Sequence, residues 1–280
     1  MIQDISPHNL DNQYRDSLPQ KNSVICCFRG GDLLIARDEE HRLSLPEYFR
    51  FSGKLKPQEC RYLFAMDGIP YYLALRFRPE EALELEGYSY ESCRRLRQLV
   101  SKEICFAATV AWHLWAWYRD NRFCGRCGKS LVHDRRLRML SCPECGLMVF
   151  PKIAPAVIIC LTDGDRILMS KYANRDFTRY ALLAGFTEIG ETAEETVARE
   201  VMEEVGLKVK NIRYYKSQPW GIDSNLLFGF FCELDGDDTI HMDEEELSLA
   251  EWYTRDEMPA ADDGISLTRE MMGMFARGEV

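Results

Sequence analysis

The most regular hydrophobic pattern in the chain lies between Gly185 and Leu207. Within it, Val197, Val201 and Val205 recur every four residues, so they share one face of a helix that can pack on a sheet. The capping signals are Thr192 with Glu195, spaced as a capping box, and Gly206, which suits a left-handed end. Together they predict a helix from about Ala193 to Val205.

Short apolar runs bounded by turn residues flank this helix and predict β-strands. The segment from Pro155 to Ser170 predicts a strand, an Asp-Gly-Asp turn and a second strand, and residues 180–184 lead into the helical segment. Beyond the helix, we predict strands at 209–216, 226–233 and 252–253 and a closing helix at 266–276. Strands on both sides of one central helix predict an α/β domain.

The first 120 residues predict a smaller α/β domain. Residues 23–36 indicate two short strands around a Gly-Gly turn, 71–77 indicate another strand, and 91–120 are predicted to be helical, as one helix or two. No catalytic group of residues stands out here, so we interpret the domain as a scaffold or a dimerisation domain. His113 has helical spacing with apolar residues and is interpreted as a core or interface histidine rather than a ligand.

One face of the central helix carries glutamates at an unusual spacing. Glu200, Glu203 and Glu204 stand at i, i+3 and i+4, so their carboxylates share that face. Such acids repel one another, and a hard divalent cation such as Mg²⁺ relieves the repulsion when phosphates complete its shell. Arg199 can hold one carboxylate in place. Spacing alone leaves a metal site and a solvated acidic face as equal alternatives.

The eleven cysteines divide into two groups. Four of them form two CxxC pairs, each followed by glycine: Cys124, Cys127, Cys142 and Cys145. This spacing predicts a zinc ribbon in which four thiolates close a structural Zn²⁺ shell, since a reactive CxxC pair would not need two copies. The others mostly lie in apolar runs and are predicted to be buried free thiols: Cys26, Cys27, Cys60, Cys93, Cys105, Cys160 and Cys232.

The predicted ribbon hairpin is rich in basic residues: Lys129, His133, Arg135, Arg136 and Arg138. These charges could meet an RNA backbone. A solvated hairpin of mixed charge is the commoner explanation, and it is favoured here.

Composition narrows the class of protein. A chain of 280 residues has room for about two domains, and 46% hydrophobic with 29% charged residues is typical of a globular protein. The net charge of −10 argues against a general nucleic-acid-coating role. No apolar run has the length of a membrane span and the first residues lack the pattern of a signal peptide, so we expect a cytoplasmic protein without membrane contact.

The pattern from Gly185 through Glu191 to the segment 199–207 resembles, without gap or substitution, the signature box of the Nudix hydrolases. The resemblance implies a three-layer α/β/α domain that hydrolyses a nucleoside diphosphate linked to another group. It also implies Mg²⁺ or Mn²⁺ bound by Glu200, Glu203 and Glu204, with help from the backbone carbonyl of Ala184. Arg199 would belong to the catalytic set, and Glu203 or Glu204 would orient or deprotonate the attacking water.

Three further features are similar to the NADH pyrophosphatase branch of that family: the Ser-Gln-Pro-Trp motif at 217–220, the preceding ribbon, and the segment 150–158. The resemblance implies a homodimer that cleaves NADH or NAD⁺ to nicotinamide mononucleotide and AMP, and that also removes NAD caps from RNA. The expected organisation is an N-terminal α/β domain at 1–120, the ribbon at 121–150 and the catalytic domain at 151–280.

By position, the resemblance also assigns a substrate-binding set: Phe186, Gln218, Phe150, Ser217 and Trp220. It assigns Glu246 as a further carboxylate linked to the metal. After the motif, Gly221 to Asn225 departs from the usual Pro-Phe-Pro-x-Ser, which leaves the preferred dinucleotide open. The alternatives are a pyrophosphatase for ADP-ribose, diadenosine compounds or NAD-capped RNA, and a non-catalytic nucleotide-sensing protein.

Overall fold

A computed structural model describes residues 1–37, 43–96, 100–173, 180–258 and 264–280 of the chain. The chain divides into two compact units. The C-terminal unit consists of Met1–Gln3, Ile153–Trp220 and Asn225–Val280, and the N-terminal unit consists of Asp4–Lys152 and Gly221–Ser224. None of the helices in the described ranges is long and apolar enough to cross a membrane.

Within its described residues, the N-terminal unit contains two four-stranded sheets, a three-stranded antiparallel ribbon and two helices. Its elements are β1 (Leu10–Asp11), β2 (Val24–Cys26), β3 (Phe28–Arg29), β4 (Asp32–Arg37), β5 (Leu43–Ser44), β6 (Cys60–Met66), β7 (Ile69–Ala74), β8 (Tyr88–Ser92), α1 (Cys93–Leu96), α2 (Lys102–Asp120), β9 (Val132–His133), β10 (Leu140–Ser141) and β11 (Met148–Val149). One sheet has the order β1-β6-β7-β2, the second pairs β4 with β3, β5 and β8, and the ribbon has the order β11-β10-β9.

The C-terminal unit is built around one six-stranded mixed sheet. Its elements are β12 (Ala154–Asp163), β13 (Arg166–Tyr172), β14 (Leu183–Phe186), α3 (Ala193–Val205), β15 (Val209–Trp220), β16 (Asn225–Leu234), β17 (Leu247–Thr254) and α4 (Leu267–Ala276). The strand order is β15-β16-β12-β13-β17, with β14 paired to β12. The β12 and β16 strands run parallel, and the other pairs are antiparallel.

Alternation along β12 separates two hydrophobic layers. Val157 and Ile159 face one side of the sheet, where they pack with the valine stripe of α3. Ile158 and Cys160 face the other side, where they pack with α4. A strand turns successive side chains to opposite faces, so one continuous apolar run serves both helices. The unit is therefore a three-layer α/β/α sandwich.

The predicted elements of the C-terminal unit are present, with extended ends. Helix α3 has the predicted bounds, its capping box is formed, and Gly206 ends it with φ 71°. The strand predicted at 209–216 continues to Trp220, and the short strand predicted at 252–253 is the eight-residue β17. Both strands are longer than predicted because their backbone hydrogen bonds to neighbouring strands continue beyond the apolar residues on which the predictions rested.

The predictions for the N-terminal unit were less complete. Strand β6 was missed, and residues 91–92, predicted to be helical, instead end strand β8. The rest of that prediction corresponds to α1 and α2, and residues 97–99 between them lie outside the described part of the chain.

His113 is a partly buried residue whose Nε2 donates to the Lys152 carbonyl at 2.7 Å, which fits a structural histidine.

Of the segment that departs from the expected motif, Gly221 to Asn225, residues Gly221–Ser224 belong to the N-terminal unit and lie against α2. Trp112 donates from Nε1 to the Ile222 carbonyl at 3.1 Å, and Arg94 pairs with Asp223 at 3.1 Å. A Cβ on Gly221 would lie 2.6 Å from the Thr109 carbonyl oxygen, closer than real Cβ atoms approach. Glycine at 221 is therefore required by close packing.

Candidate functional site

The box glycine, Gly185, leaves the space that the carboxylate of Glu200 fills. Gly185 lies in β14, opposite Val157 of β12. A Cβ built on Gly185 would lie 1.8 Å from the carboxyl carbon of Glu200. A side chain at position 185 would therefore displace that carboxylate. The helix carries its glutamate directly against the strand because the strand has no side chain there.

Arg199 organises the acidic face of α3. Its guanidinium donates to Glu191 from Nε at 2.6 Å and from Nη2 at 3.0 Å. The Nη1 atom donates to both Glu200 and Glu203 at 2.8 Å, and Nη2 also donates to the Phe186 carbonyl at 2.9 Å. One arginine thus fixes three carboxylates and a strand carbonyl. The hydrogen bonds from Arg199 lower the pKa of Glu191 to about 2.

Glu204 is the most enclosed acid of the cluster. Its residue is only 2% exposed, and its Oε2 atom has no hydrogen-bond partner. Burial raises the pKa of Glu204 to about 8, with a further contribution from the negative charges of Glu200 and Glu246, while a hydrogen bond from the Ala184 backbone opposes the rise. Burial likewise raises the pKa of Glu200. Buried carboxyl groups with raised pKa values favour a bound cation, because a nearby positive charge stabilises their ionised form.

The segment that carries Glu246 is tied to the end of α3. The His241 amide donates to the Val205 carbonyl and the Asp243 amide donates to the Glu204 carbonyl, each at 2.9 Å. These bonds bring an exposed glutamate from outside the helix toward the buried pair, where its charge acts on both. An oxygen-only donor set with an unpartnered buried oxygen fits a hard divalent cation.

The four ribbon cysteines converge. All four sulfur atoms lie within 4.8 Å of one another. The Cys124–Cys145, Cys127–Cys142 and Cys127–Cys145 sulfur pairs are 3.6, 3.4 and 3.7 Å apart. Zn–S bonds of ~2.3 Å in a tetrahedron separate the sulfurs by ~3.8 Å, so the arrangement fits zinc. The seven other cysteines are buried and form no disulfide bond in the described part of the chain, as predicted.

The ribbon backbone favours the thiolate form of Cys124 and Cys142. Gly128 and Gly146 have φ of 74° and 71°, and their amides close the two knuckles on the carbonyls of Cys124 and Cys142. Burial opposes ionisation of the Cys124 thiol, but backbone hydrogen bonds from Arg126 and Cys127 outweigh it and lower its pKa to about 6. A thiolate is the form that binds zinc.

The residues predicted to bind substrate lie in different settings. The Phe186 side chain is 55% exposed at the end of β14, next to the carbonyl that Arg199 holds. Ser217 and Trp220 lie in β15, both partly buried. Phe150 is 54% exposed and belongs to the N-terminal unit.

Gln218 is not available to a ligand, contrary to the prediction. Its side chain is fully buried, with 0% exposure. Its Nε2 donates to the Ile265 carbonyl at 2.7 Å, and its Oε1 accepts from the Leu267 amide at 2.9 Å. Both ends of the amide are therefore used at the start of α4. The residue fixes the closing helix against β15 instead of contacting substrate.

Comparison with known proteins gives two family matches. The NUDIX domain matches residues 152–272, and the NADH pyrophosphatase zinc ribbon domain matches residues 119–150. The NAD-capped RNA hydrolase NudC of Pseudomonas aeruginosa (strain LESB58) is 32% identical over 196 residues, which cover 70% of each chain. The chain belongs to the Nudix hydrolase family.

Two further similarities were found for this Nudix hydrolase. The NAD-capped RNA hydrolase NudC of Enterobacter sp. (strain 638) is 42% identical over 142 residues, which cover 51% of this chain and 55% of the relative. The crystal structure of a NUDIX hydrolase from Nitrosomonas europaea has a TM-score of 0.47 and 22% identity, covering 56% of this chain and 90% of that chain.

The structure gives one box residue a role that sequence reasoning did not assign in this Nudix hydrolase. Glu191 receives two hydrogen bonds from Arg199 and one from the Thr196 hydroxyl at 3.0 Å. It lies eight residues before the arginine, in the turn that precedes α3. Helical spacing cannot reveal the pair of Glu191 and Arg199, because Glu191 lies before the helix. The signal in the sequence was that both residues belong to the box pattern.

Two basic residues of the ribbon hairpin are turned inward. Arg138 donates from Nη2 to the Leu63 and Asn12 carbonyls, and His133 contacts Tyr118 and the Asp134 carbonyl. They brace the hairpin within the N-terminal unit. The suggestion that they meet an RNA backbone is therefore wrong for these two, and it stays a prediction for the exposed ones, Lys129, Arg135 and Arg136.

Proposed function

We propose that this Nudix hydrolase cleaves the pyrophosphate bond of NADH and NAD⁺ to nicotinamide mononucleotide and AMP, and removes NAD caps from the 5′ ends of RNA. The observation that carries the proposal is the buried acidic cluster on α3, in which Glu204 keeps an unpartnered oxygen beside Glu200. The ribbon match and the two NudC relatives, both named NAD-capped RNA hydrolases, support the choice of substrate.

The proposed metal ligands are Glu200, Glu203, Glu204, Glu246 and the backbone carbonyl of Ala184. Mg²⁺ or Mn²⁺ bound there would neutralise the charge of the pyrophosphate and lower the pKa of bound water. The proposed zinc ligands in the ribbon are the four cysteines, which form a closed shell with a structural role. Divalent-metal dependence is thus expected of the reaction, and zinc dependence is expected of the fold.

Arg199 and Gly185 position the acids. The guanidinium fixes Glu200 and Glu203, and the absence of a side chain at 185 leaves room for the Glu200 carboxylate. Glu203 already accepts from Arg199, whereas the Oε2 of Glu204 has no partner, so we assign Glu204 as the group that accepts the proton of the attacking water.

The substrate contacts are proposed from exposure. The Phe186 carbonyl contacts Arg199, and the Phe186 side chain is 55% exposed. An aromatic face can stack on a base without reading its edge. Phe150, Ser217 and Trp220 are proposed as further contacts. We further propose that the protein is a cytoplasmic homodimer, as its similarity to the NADH pyrophosphatase branch suggests.

The test is steady-state hydrolysis of NADH, NAD⁺, ADP-ribose, diadenosine tetraphosphate and a short NAD-capped RNA, with Mg²⁺ or Mn²⁺ and with products identified. We expect nicotinamide mononucleotide and AMP from the NAD substrates, and a loss of roughly 10²–10⁴-fold in kcat for Glu204→Gln. Glu194→Gln is the matched control, because Glu194 is an exposed acid on the same helix.

Two results would count against the proposal. Faster cleavage of ADP-ribose or of the diadenosine compound than of any NAD substrate would make the protein a pyrophosphatase for a different dinucleotide. Binding of all five compounds without turnover would indicate a nucleotide-sensing protein. Comparable loss of rate in Glu194→Gln would remove the specific role assigned to Glu204.

A further inference from the structure

The N-terminal unit contains a surface cavity of about 300 Å³ that no part of the proposed reaction uses. It lies where the end of α2 meets β6, the segment after β7 and the start of the ribbon. The residues that matter here are Arg61, Phe77, Tyr118, Asn121, Arg122 and Phe123. Its volume is at the lower end of the range for small-molecule sites.

The charge of this cavity is opposite to that of the chain. The protein carries 45 acids against 35 basic residues, yet the cavity is lined by Arg61 and Arg122 with no acidic residue among its lining. The only carboxylate paired with Arg61 in the described ranges is that of Asp16, at 3.9 Å, the outer limit of an ion pair. Arg122 forms no ion pair within the described residues, and it acts at longer range on Glu81, whose pKa it helps to lower.

Aromatic rings accompany these charges. The Arg122 guanidinium lies 5.9 Å from the centre of the Phe77 ring and 5.7 Å from that of Phe123. Phe123 is 59% exposed, so its ring is accessible to a ligand. Exposed aromatic faces and guanidinium planes are the surfaces on which single nucleotides stack, while arginines bind phosphates.

Polar groups complete the lining. Asn121 donates from Nδ2 to the Trp117 carbonyl at 2.8 Å, and its Oδ1 atom has no hydrogen-bond partner in the described part of the chain. His133 Nε2 is 2.7 Å from the Tyr118 hydroxyl, and its pKa is lowered, mainly by burial. The histidine is thus neutral near pH 7, and the positive charge of the cavity comes from the two arginines.

We propose that this cavity is a second nucleotide site, which takes one nucleotide with its 5′ phosphate on Arg61 and Arg122 and its base on Phe123. The occupant is a free mononucleotide or one residue of a single-stranded RNA, because both present the same phosphate, sugar and base. None of the residues that line this cavity belongs to the segment matched by the NUDIX domain. The proposal can therefore be tested independently of the proposed hydrolysis.

Photo-crosslinking of the full-length, zinc-loaded protein tests the site. One probe is 8-azidoadenosine 5′-monophosphate, and the other is a 5′-phosphorylated pentaadenylate RNA whose first residue is 8-azidoadenosine. Neither contains a pyrophosphate, so neither is a substrate of the proposed reaction. Mass spectrometry of peptides separates label at residues 118–131 from label in the Nudix domain, where AMP is expected to bind as a product.

We expect label in the cavity peptides, reduced by about tenfold in Arg122→Gln and also reduced in Phe123→Leu. Arg135→Gln is the matched control, since it removes an exposed ribbon arginine outside the cavity, and it should label like the wild type. Zinc content and melting temperature establish that each variant is folded. Both altered side chains are exposed, so folding should be retained.

The two probes distinguish the sources of the nucleotide. Saturable label from the mononucleotide supports a free nucleotide as occupant, and label from the RNA alone supports a site for an RNA strand. Label confined to the Nudix domain with both probes would overturn the proposal. An equal loss of cavity label in Arg122→Gln and Arg135→Gln would also overturn it, because general charge would then explain the binding.

Discussion

The protein has two groups of side chains that we propose as metal ligands, and they are organised in opposite ways. The ribbon brings four sulfur atoms within 4.8 Å of one another, and two glycine-containing knuckles set their positions. On α3 the carboxylates are instead spread around a guanidinium, with Glu203 exposed and Glu204 buried. The backbone turns hold the cysteine cluster together. The Arg199 guanidinium holds the carboxylate cluster together.

The difference follows from charge. Thiols can share protons with one another, so four of them can converge at moderate cost before a metal binds. Carboxyl groups are ordinarily ionised at neutral pH, and each unit charge brought into a buried site costs free energy unless it is paired, so Glu204 keeps its proton there when no metal is bound. Arg199 pairs with Glu191, Glu200 and Glu203, and we propose that Glu204 is left for the divalent ion. The catalytic cluster is therefore expected to respond to metal and pH, whereas the ribbon should respond mainly to loss of a ligand.

The largest effect is expected from breaking the ribbon. Cys142→Ser removes a buried ligand and should abolish zinc binding, lowering the free energy of unfolding by ~5 kcal/mol or more. Zinc content per chain and calorimetric melting provide the measurement. Cys93→Ser, at a buried free thiol, is the control and should keep its zinc. A fully zinc-loaded Cys142→Ser protein with unchanged stability would contradict the assignment.

A smaller effect is expected from filling the space beside Glu200. Gly185→Ala places a methyl group where the carboxylate lies, so it should cost ~1–3 kcal/mol and lower kcat/KM by about 100-fold. Gly125→Ala is the matched control, because a Cβ at 125 meets nothing within 4 Å and its φ is ordinary. The kcat/KM of hydrolysis and the melting temperature, measured for both variants, test this prediction. Similar behaviour of the two would show that the contact is readily relieved.

The smallest effect concerns pH. Burial raises the pKa of Glu204, so the folded protein without divalent ion keeps a proton on this residue up to about pH 8, whereas the unfolded chain releases it near pH 4.5. Stability from this group is therefore greatest below that lower value and falls as pH rises toward 8. An effective protein dielectric of ~20, which applies even at buried sites, should limit the change to on the order of 1 kcal/mol.

Melting temperatures from pH 5 to 8, measured for wild type and Glu204→Gln without and with Mg²⁺, check this sign. The difference between the two proteins isolates the group from all others that titrate. We expect the wild type to lose stability relative to the variant as pH rises, and Mg²⁺ to reverse that trend. Parallel curves without metal would mean that Glu204 is ionised throughout.

Local signals explain what the sequence could predict. The capping box, the valine stripe and Gly206 determine α3 within one stretch of chain, and the paired CxxC knuckles do the same for the ribbon. The box pattern also identified the acids that share the face of α3. These features depend on residues a few positions apart, which is the range at which periodicity and capping act.

The remaining features depend on partners distant in sequence. The burial of Gln218 results from Ile265 and Leu267, nearly fifty residues later, and the inward turn of Arg138 results from Leu63. The loop after the Ser-Gln-Pro-Trp motif has lost its prolines, and only the structure shows that Gly221 is needed against Thr109. No local pattern carries such information, since the contacts exist only after the chain has folded.

The placement of Gly221–Ser224 in one compact unit, between strands of the other, has a consequence for dissecting the protein. The C-terminal unit also includes residues 1–3, so each unit is assembled from separate pieces of chain. A single cut before residue 153 would give a fragment whose loop lacks Thr109, Trp112 and Arg94, and which lacks the core side chain of Ile2. The stability of such a fragment would not measure that of the intact catalytic unit.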